Sequence, residues 1–82
     1  MITWHEPKRL ANIDKHGLDF ADAVDFDWGG ALVLSGHSGR FRAIGTFQGR
    51  VVAIVFTLEG NDIVVISMRP ASVKERKAFN DR

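Results

Sequence analysis

Apolar and polar positions follow one rhythm in the first thirty residues and another in the rest. Ile2 to Trp4 is a short, apolar, β-favouring run, and Pro7 follows where proline is best tolerated, in the first turn of a helix. This predicts an edge or terminal strand and then a helix. Leu10, Ile13 and Ala11 supply that helix with an apolar stripe, and Gly17 ends it as a left-handed C′ residue, with Leu18 placed to fold back on the last turn. Lys15 and His16 then fall in the final turn. Asp19 and Asp22 have the spacing of a capping box, and Phe20, Ala21 and Val24 predict a second, short amphipathic helix that Trp28, Gly29 and Gly30 break.

From Ala31 the period becomes strand-like, in "ALVLS", "RFRAIGTF", "RVVAIVFTL" and "DIVVISM". Four antiparallel strands are expected. Gln48-Gly49 suits a two-residue hairpin turn and "EGND" a slightly longer one, so the last three strands should form a meander. The unbroken apolar runs 51–56 and 63–66 imply central strands covered, at least in part, on both faces. The two front helices cover one face, and something must shield the other. Pro70 to Phe79 reads as a closing helix with proline in its first turn and a basic polar side.

Composition narrows the class. The chain has 82 residues, 45% hydrophobic and 26% charged, enough for one folded domain spanning 1–82. It has no cysteine, so neither a disulfide frame nor a thiolate metal site supports the fold. Its apolar runs are too short to span a bilayer and its start is not a secretory leader, so the expected place is the cytoplasm and no membrane partner is expected. Net charge is +1 but polarised. Residues 1–30 carry Lys8, Arg9 and Lys15 against six acids, whereas 69–82 carry Arg69, Lys74, Arg76, Lys77 and Arg82 against Glu75 and Asp81. A basic tail suits RNA phosphates or an acidic protein surface equally well.

Several residues could carry chemistry. His16 ends a helix, where the partial negative charge of the dipole favours a cation. It can serve as a general acid or a phosphate contact, yet pairing with the dipole is already sufficient reason for its position; Lys15 shares both readings. Arg40 and Arg42 alternate on a strand and leave one face, where two guanidinium forks can clamp a phosphodiester or simply keep an edge strand solvated. Arg69 stands where a strand turns into a helix, either over the sheet as a functional group or in a salt bridge to Glu75 or Asp62. The acids at 14, 19, 22, 25 and 27 lack a metal-loop spacing, and His5, His16 and His37 lack ligand spacing, so no metal and no cofactor are expected. "GGALVLSGHSG" has neither the strand–loop–helix order nor the lysine of a phosphate-cradling loop. Trp4 and Trp28 read as core or partner-facing anchors.

Trp4, Pro7, Lys8, Asn12, Lys15-His16-Gly17, Phe20 and Ala23, then Arg40 before "AIG" at 43–45, Thr57, and "ISMRPA" at 66–71 followed by Glu75-Arg76, together resemble the BrnT family of toxins from bacterial type II toxin–antitoxin modules. The likeness runs through nearly the whole chain in order. It implies a RelE-like α+β fold: two N-terminal helices packed on a mainly antiparallel sheet of about four strands, plus a C-terminal helix. It also implies a ribonuclease that blocks translation, a cognate BrnA-like antitoxin in a 2:2 complex, and contact with operator DNA only through that antitoxin.

On that resemblance the catalytic set is His16, Lys15, Arg40 and Arg69, with Lys8, Asn12 and Arg76 contacting RNA; Arg42 matches no position of the family pattern and is expected only as an RNA contact. A ribonuclease without a metal must deprotonate a 2′-hydroxyl, stabilise a pentacoordinate phosphate and protonate a 5′-oxygen with His, Lys and Arg alone. The alternative reading is a non-catalytic, antitoxin-binding protein acting as a transcriptional co-repressor. Either way, a catalytic centre requires the helix-terminal imidazole and the strand-borne guanidinium groups to meet in one pocket.

Overall fold

The computed structural model describes residues 1–82. Strand β1 (Ile2–Trp4) leads into helix α1 (Glu6–His16) and a 3-10 turn at Phe20–Asp25; strands β2 (Leu32–Ser35), β3 (Arg40–Phe47), β4 (Arg50–Glu59) and β5 (Asp62–Pro70) follow, and helix α2 (Val73–Asn80) ends the chain. The sheet order is β1-β5-β4-β3-β2. It has five strands rather than four, because Ile2, Thr3 and Trp4 pair in parallel with Ile63, Val64 and Val65. The other pairings are antiparallel, as the meander requires.

Local chemistry explains most boundaries. Gly17 caps α1 with φ 70, and its N–H returns to the Ile13 carbonyl. Between Phe47 and Arg50, Gln48 and Gly49 both have positive φ, as a two-residue hairpin of matching twist needs. Glu59 pairs directly with Asp62, so the second hairpin is equally tight, not longer. Gly45 is required by close approach, since a Cβ there would lie 2.8 Å from the Phe26 ring.

Three helical expectations change. The second N-terminal helix is a six-residue 3-10 turn, capped by Asp19 Oδ1, which accepts the Ala21 N–H. Its i, i+3 spacing buries Phe20 and Ala23 and leaves Val24 at the surface. Helix α2 begins at Val73 and not near Pro70: Pro70 still belongs to β5, and Ser72 forms a capping box with Glu75. Leu10 and Ile13, the expected inner stripe of α1, face outward, and the buried residue of that helix is Asn12.

Alternation then sorts the sheet into two faces. On one, Phe41, Ala43, Phe47, Val52, Ile54, Phe56, Val65 and Met68 pack against Leu18, Phe20, Ala23 and Phe26 in the main core. Trp28 joins it edge-on to Phe26 and Phe56, its indole N–H donating to the Ala23 carbonyl. On the other face, Ile44 and Ala53 pack under Ala71 and Phe79 of the α2 region. Helix α2 shields only that part, and the remainder, around Arg40, Arg42, Val55 and Ser67, stays partly open.

Candidate functional site

The open part of the second face carries most of the expected site. Residues of β2 to β5 in one cross-strand row are Leu34, Arg42, Val55 and Ser67. At the usual strand spacing, the Cα atoms of Arg42 and Ser67 lie about 10 Å apart. A cleft of about 280 Å³ lies at the β2–β3 end of this row and is lined by Arg40, Arg42, Arg69, Leu34 and Val55. Beyond the other end, Lys8, Asn12, Lys15 and His16 of α1 line a second cleft of about 190 Å³ together with Ile66 and Ser67.

The expected single pocket is therefore two adjoining clefts on one face. They share no lining residue but meet at the Val55–Ser67 pair, of which Val55 lines the first and Ser67 the second. A bulge helps to join them: Val55 opposes Ser67 while Phe56 opposes Val65, so Ile66 is an extra residue that turns Ser67 onto the open face. Arg76 borders neither cleft, although it is exposed on α2. Arg42 also borders a third depression, of about 230 Å³, between β3 and α2.

Asn12, expected at the RNA surface, is buried with its carboxamide used inside the protein. Its Nδ2 donates to the carbonyls of Leu18 and Met68, each at 2.8 Å, and its Oδ1 accepts the Met68 N–H at 3.2 Å. The side chain thus closes the edge of β5 where β1 has ended, and it seats α1 so that Lys8, Lys15 and His16 overhang the second cleft.

Glu75, expected as a candidate salt-bridge partner of Arg69 and as part of the family-like motif, organises the arginines of the first cleft. It is buried in the first turn of α2. Arg69 meets it with two bonds, Nη1 to Oε1 at 2.6 Å and Nη2 to Oε2 at 3.0 Å. Arg42 Nη1 donates to Oε2 at 3.0 Å, and the Ser72 N–H donates to Oε1 at 2.9 Å. The Arg69 bonds, helped by the Ser72 N–H and the charge of Arg42, hold the Glu75 carboxyl down at about 2 despite burial. Its ion pair raises the pKa of Arg69 in return. The Ser-x-x-Glu spacing at 72–75 is the signal that could have revealed this helix start.

Arg40, Lys8 and Lys15 form none of the salt bridges of the molecule and remain available to an anion. Arg9 is committed elsewhere, to Glu6 and Asp19. No three His, Cys, Asp or Glu side chains converge as a metal centre would need, and no helix is long and apolar enough to cross a membrane. The arrangement presents five cationic side chains and one imidazole around an open, shallow floor, which suits an extended polyanion better than a small enclosed ligand.

Residues 4–75 match the family model described as the ribonuclease toxin BrnT of type II toxin–antitoxin systems. The fold is similar to the crystal structure of the Brucella abortus ribonuclease toxin BrnT, with 47% identity, a TM-score of 0.79, and coverage of 87% of this chain and 95% of that one. No curated protein matches the chain.

Proposed function

Because this chain belongs to the BrnT family of ribonuclease toxins of type II toxin–antitoxin systems, we propose that it cleaves RNA across the two-cleft face by metal-independent acid–base chemistry. The reading rests on one observation: the arginine cleft and the His16 cleft open side by side on the same face. The scissile phosphate lies over Val55 and Ser67. Arg69 and Arg42 reach it from one side, Lys15 and His16 from the other, and Arg40 and Lys8 hold the flanking phosphates.

The 2′-oxygen attacks the neighbouring phosphorus, a P–O2′ bond forms and the P–O5′ bond breaks. Water takes the 2′-hydroxyl proton, and His16 protonates the departing 5′-oxygen; imidazole is the one side-chain type in these clefts that exchanges protons readily near neutral pH. The guanidinium groups and the Lys15 ammonium stabilise the charge that develops on the phosphorane oxygens. Products are a 2′,3′-cyclic phosphate and a 5′-hydroxyl. In the cell this activity blocks translation, and a BrnA-like antitoxin neutralises it in a 2:2 complex, through which alone the toxin meets operator DNA.

Purified protein free of antitoxin is expected to cleave RNA in EDTA. His16→Ala should lower kcat by roughly 100-fold to 10,000-fold, and Arg69→Ala by a comparable factor. Intact RNA after incubation with the wild-type protein would overturn the catalytic reading. One observation favours a second reading: Arg42 and Arg69 already have a carboxylate partner, as a non-catalytic antitoxin-binding co-repressor would allow. In that case expression without antitoxin leaves growth unaffected.

A further inference from the structure

We propose that Glu75 is a positioning residue of the RNA-cleaving site, holding Arg42 and Arg69 as one preorganised unit that receives the scissile phosphate. The inference rests on the ribonuclease reading above.

Two guanidinium groups brought together from β3 and β5, across the intervening β4, repel each other, and long side chains lose conformational freedom when they are fixed. Glu75 counters both effects. It is delivered from α2, 33 residues beyond Arg42 and six beyond Arg69, and takes three of their Nη donors. The carboxylate cannot be the general base. Oε1 already accepts from Arg69 and from the Ser72 N–H, and Oε2 from Arg69 and Arg42, so both oxygens are doubly engaged and none is turned to a 2′-hydroxyl. Each guanidinium has five N–H donors, so the clasp leaves both arginines with donors for a phosphate. Arg42, which lies outside the family-like motif, thereby joins Arg69 in the reactive set.

The role of Glu75 in capping α2 is separable from this clasp. Glutamine also completes a capping box, since its amide oxygen accepts the N-cap N–H, but it cannot take up the charge of two arginines. Glu75→Gln therefore keeps the helix start and removes the clasp. Ser72→Ala does the converse: it deletes the hydroxyl that accepts the Glu75 N–H at 3.1 Å and leaves the carboxylate intact.

The test is steady-state cleavage of an RNA oligonucleotide in EDTA, together with binding of the same oligonucleotide carrying a 2′-deoxy group at the scissile position. Glu75→Gln should lower kcat by about 30-fold or more with KM and deoxy-oligonucleotide Kd within about threefold, because misplaced donors cost more in the transition state than in the ground state. Ser72→Ala should keep kcat within about twofold while lowering Tm. Glu75→Asp, which keeps the charge on a shorter arm and guards against a glutamine variant that fails to fold, should also lose kcat. Adding Glu75→Gln to an Arg42→Ala, Arg69→Ala background should change nothing further. Wild-type kcat in Glu75→Gln or Glu75→Asp, or a loss confined to KM, overturns the proposal.

A readout independent of catalysis is the side-chain NMR of Arg42 and Arg69. Restricted Nη rotation is expected in the wild type, and averaged signals in Glu75→Gln. Free rotation in the wild type also overturns the proposal, whereas an inactive wild type with clasped arginines counts against the ribonuclease reading alone.

Discussion

Asn12 completes a peptide pairing that no strand reaches. Where β1 stops, its carboxamide presents to Met68 the donor and acceptor that a neighbouring strand would offer. Asn12→Ala strands the Met68 N–H and carbonyl at a buried edge, and each unsatisfied group costs about 1–3 kcal/mol. The expected loss is about 3 kcal/mol of stability, measured as a shift in the urea midpoint at unchanged m. A variant as stable as the wild type would return Asn12 to the RNA surface. This task was hidden in the sequence. A polar residue one turn from Lys8 and Lys15–His16 looks like part of a polar face, and only the endpoint of β1 shows that a hydrogen-bonding edge needs it.

The junction of β5 with α2 couples a helix cap to an ion-pair network. Glu75 sits at about 2 in the folded protein, against 4.5 for an ordinary glutamate. Below about pH 4.5 the unfolded chain takes up this proton first, so the stabilisation is complete above that value and is lost as pH falls toward 2. Two and a half units correspond to roughly 3 kcal/mol. Asp19, lowered by the Ala21 N–H and by Arg9, acts in the same direction. Urea unfolding between pH 6 and pH 2 should show stability falling chiefly below pH 4.5, and Glu75→Gln should flatten that fall. An equally steep fall in the variant would mean that other carboxylates dominate. Strand and turn positions were legible at this level because their signals are local: alternation, Gln48-Gly49 and Gly17 each act within a few residues. The start of α2 was misplaced because Pro70 carries both a strand-end and a helix-start meaning, and the β5 edge, free of β1 there, tolerates its missing N–H.

Across the molecule, the cations of α1 and those of β3 and β5 come to one open face although they are far apart in the chain. RNA lying along this face meets Lys8, Lys15, Arg40, Arg42 and Arg69. If two to three phosphates are neutralised, log Kd for single-stranded RNA should rise with log salt at a slope of about 1.5 to 2. Arg40→Gln should reduce that slope by about 0.7, read by fluorescence anisotropy of an oligonucleotide blocked at its 2′ positions. A slope near zero would remove the groove as an RNA path. The family-like motif picked out Lys15, His16, Arg40 and Arg69, and the fold brings all four to the same face, in two clefts.

Local pattern was enough to specify the first helix and its Gly17 cap, the meander, the Gln48-Gly49 turn and the polarity of the chain, since each depends on neighbours within a few positions. Three features depended on the folded arrangement: β1 running parallel to β5, the Asn12 clamp on Met68, and Glu75 closing on Arg42 and Arg69. Each joins segments distant in sequence. Hydrophobic alternation says which side of a strand turns inward, but not which distant polar group will meet an element, as the outward Leu10 and Ile13 and the buried Asn12 of α1 show.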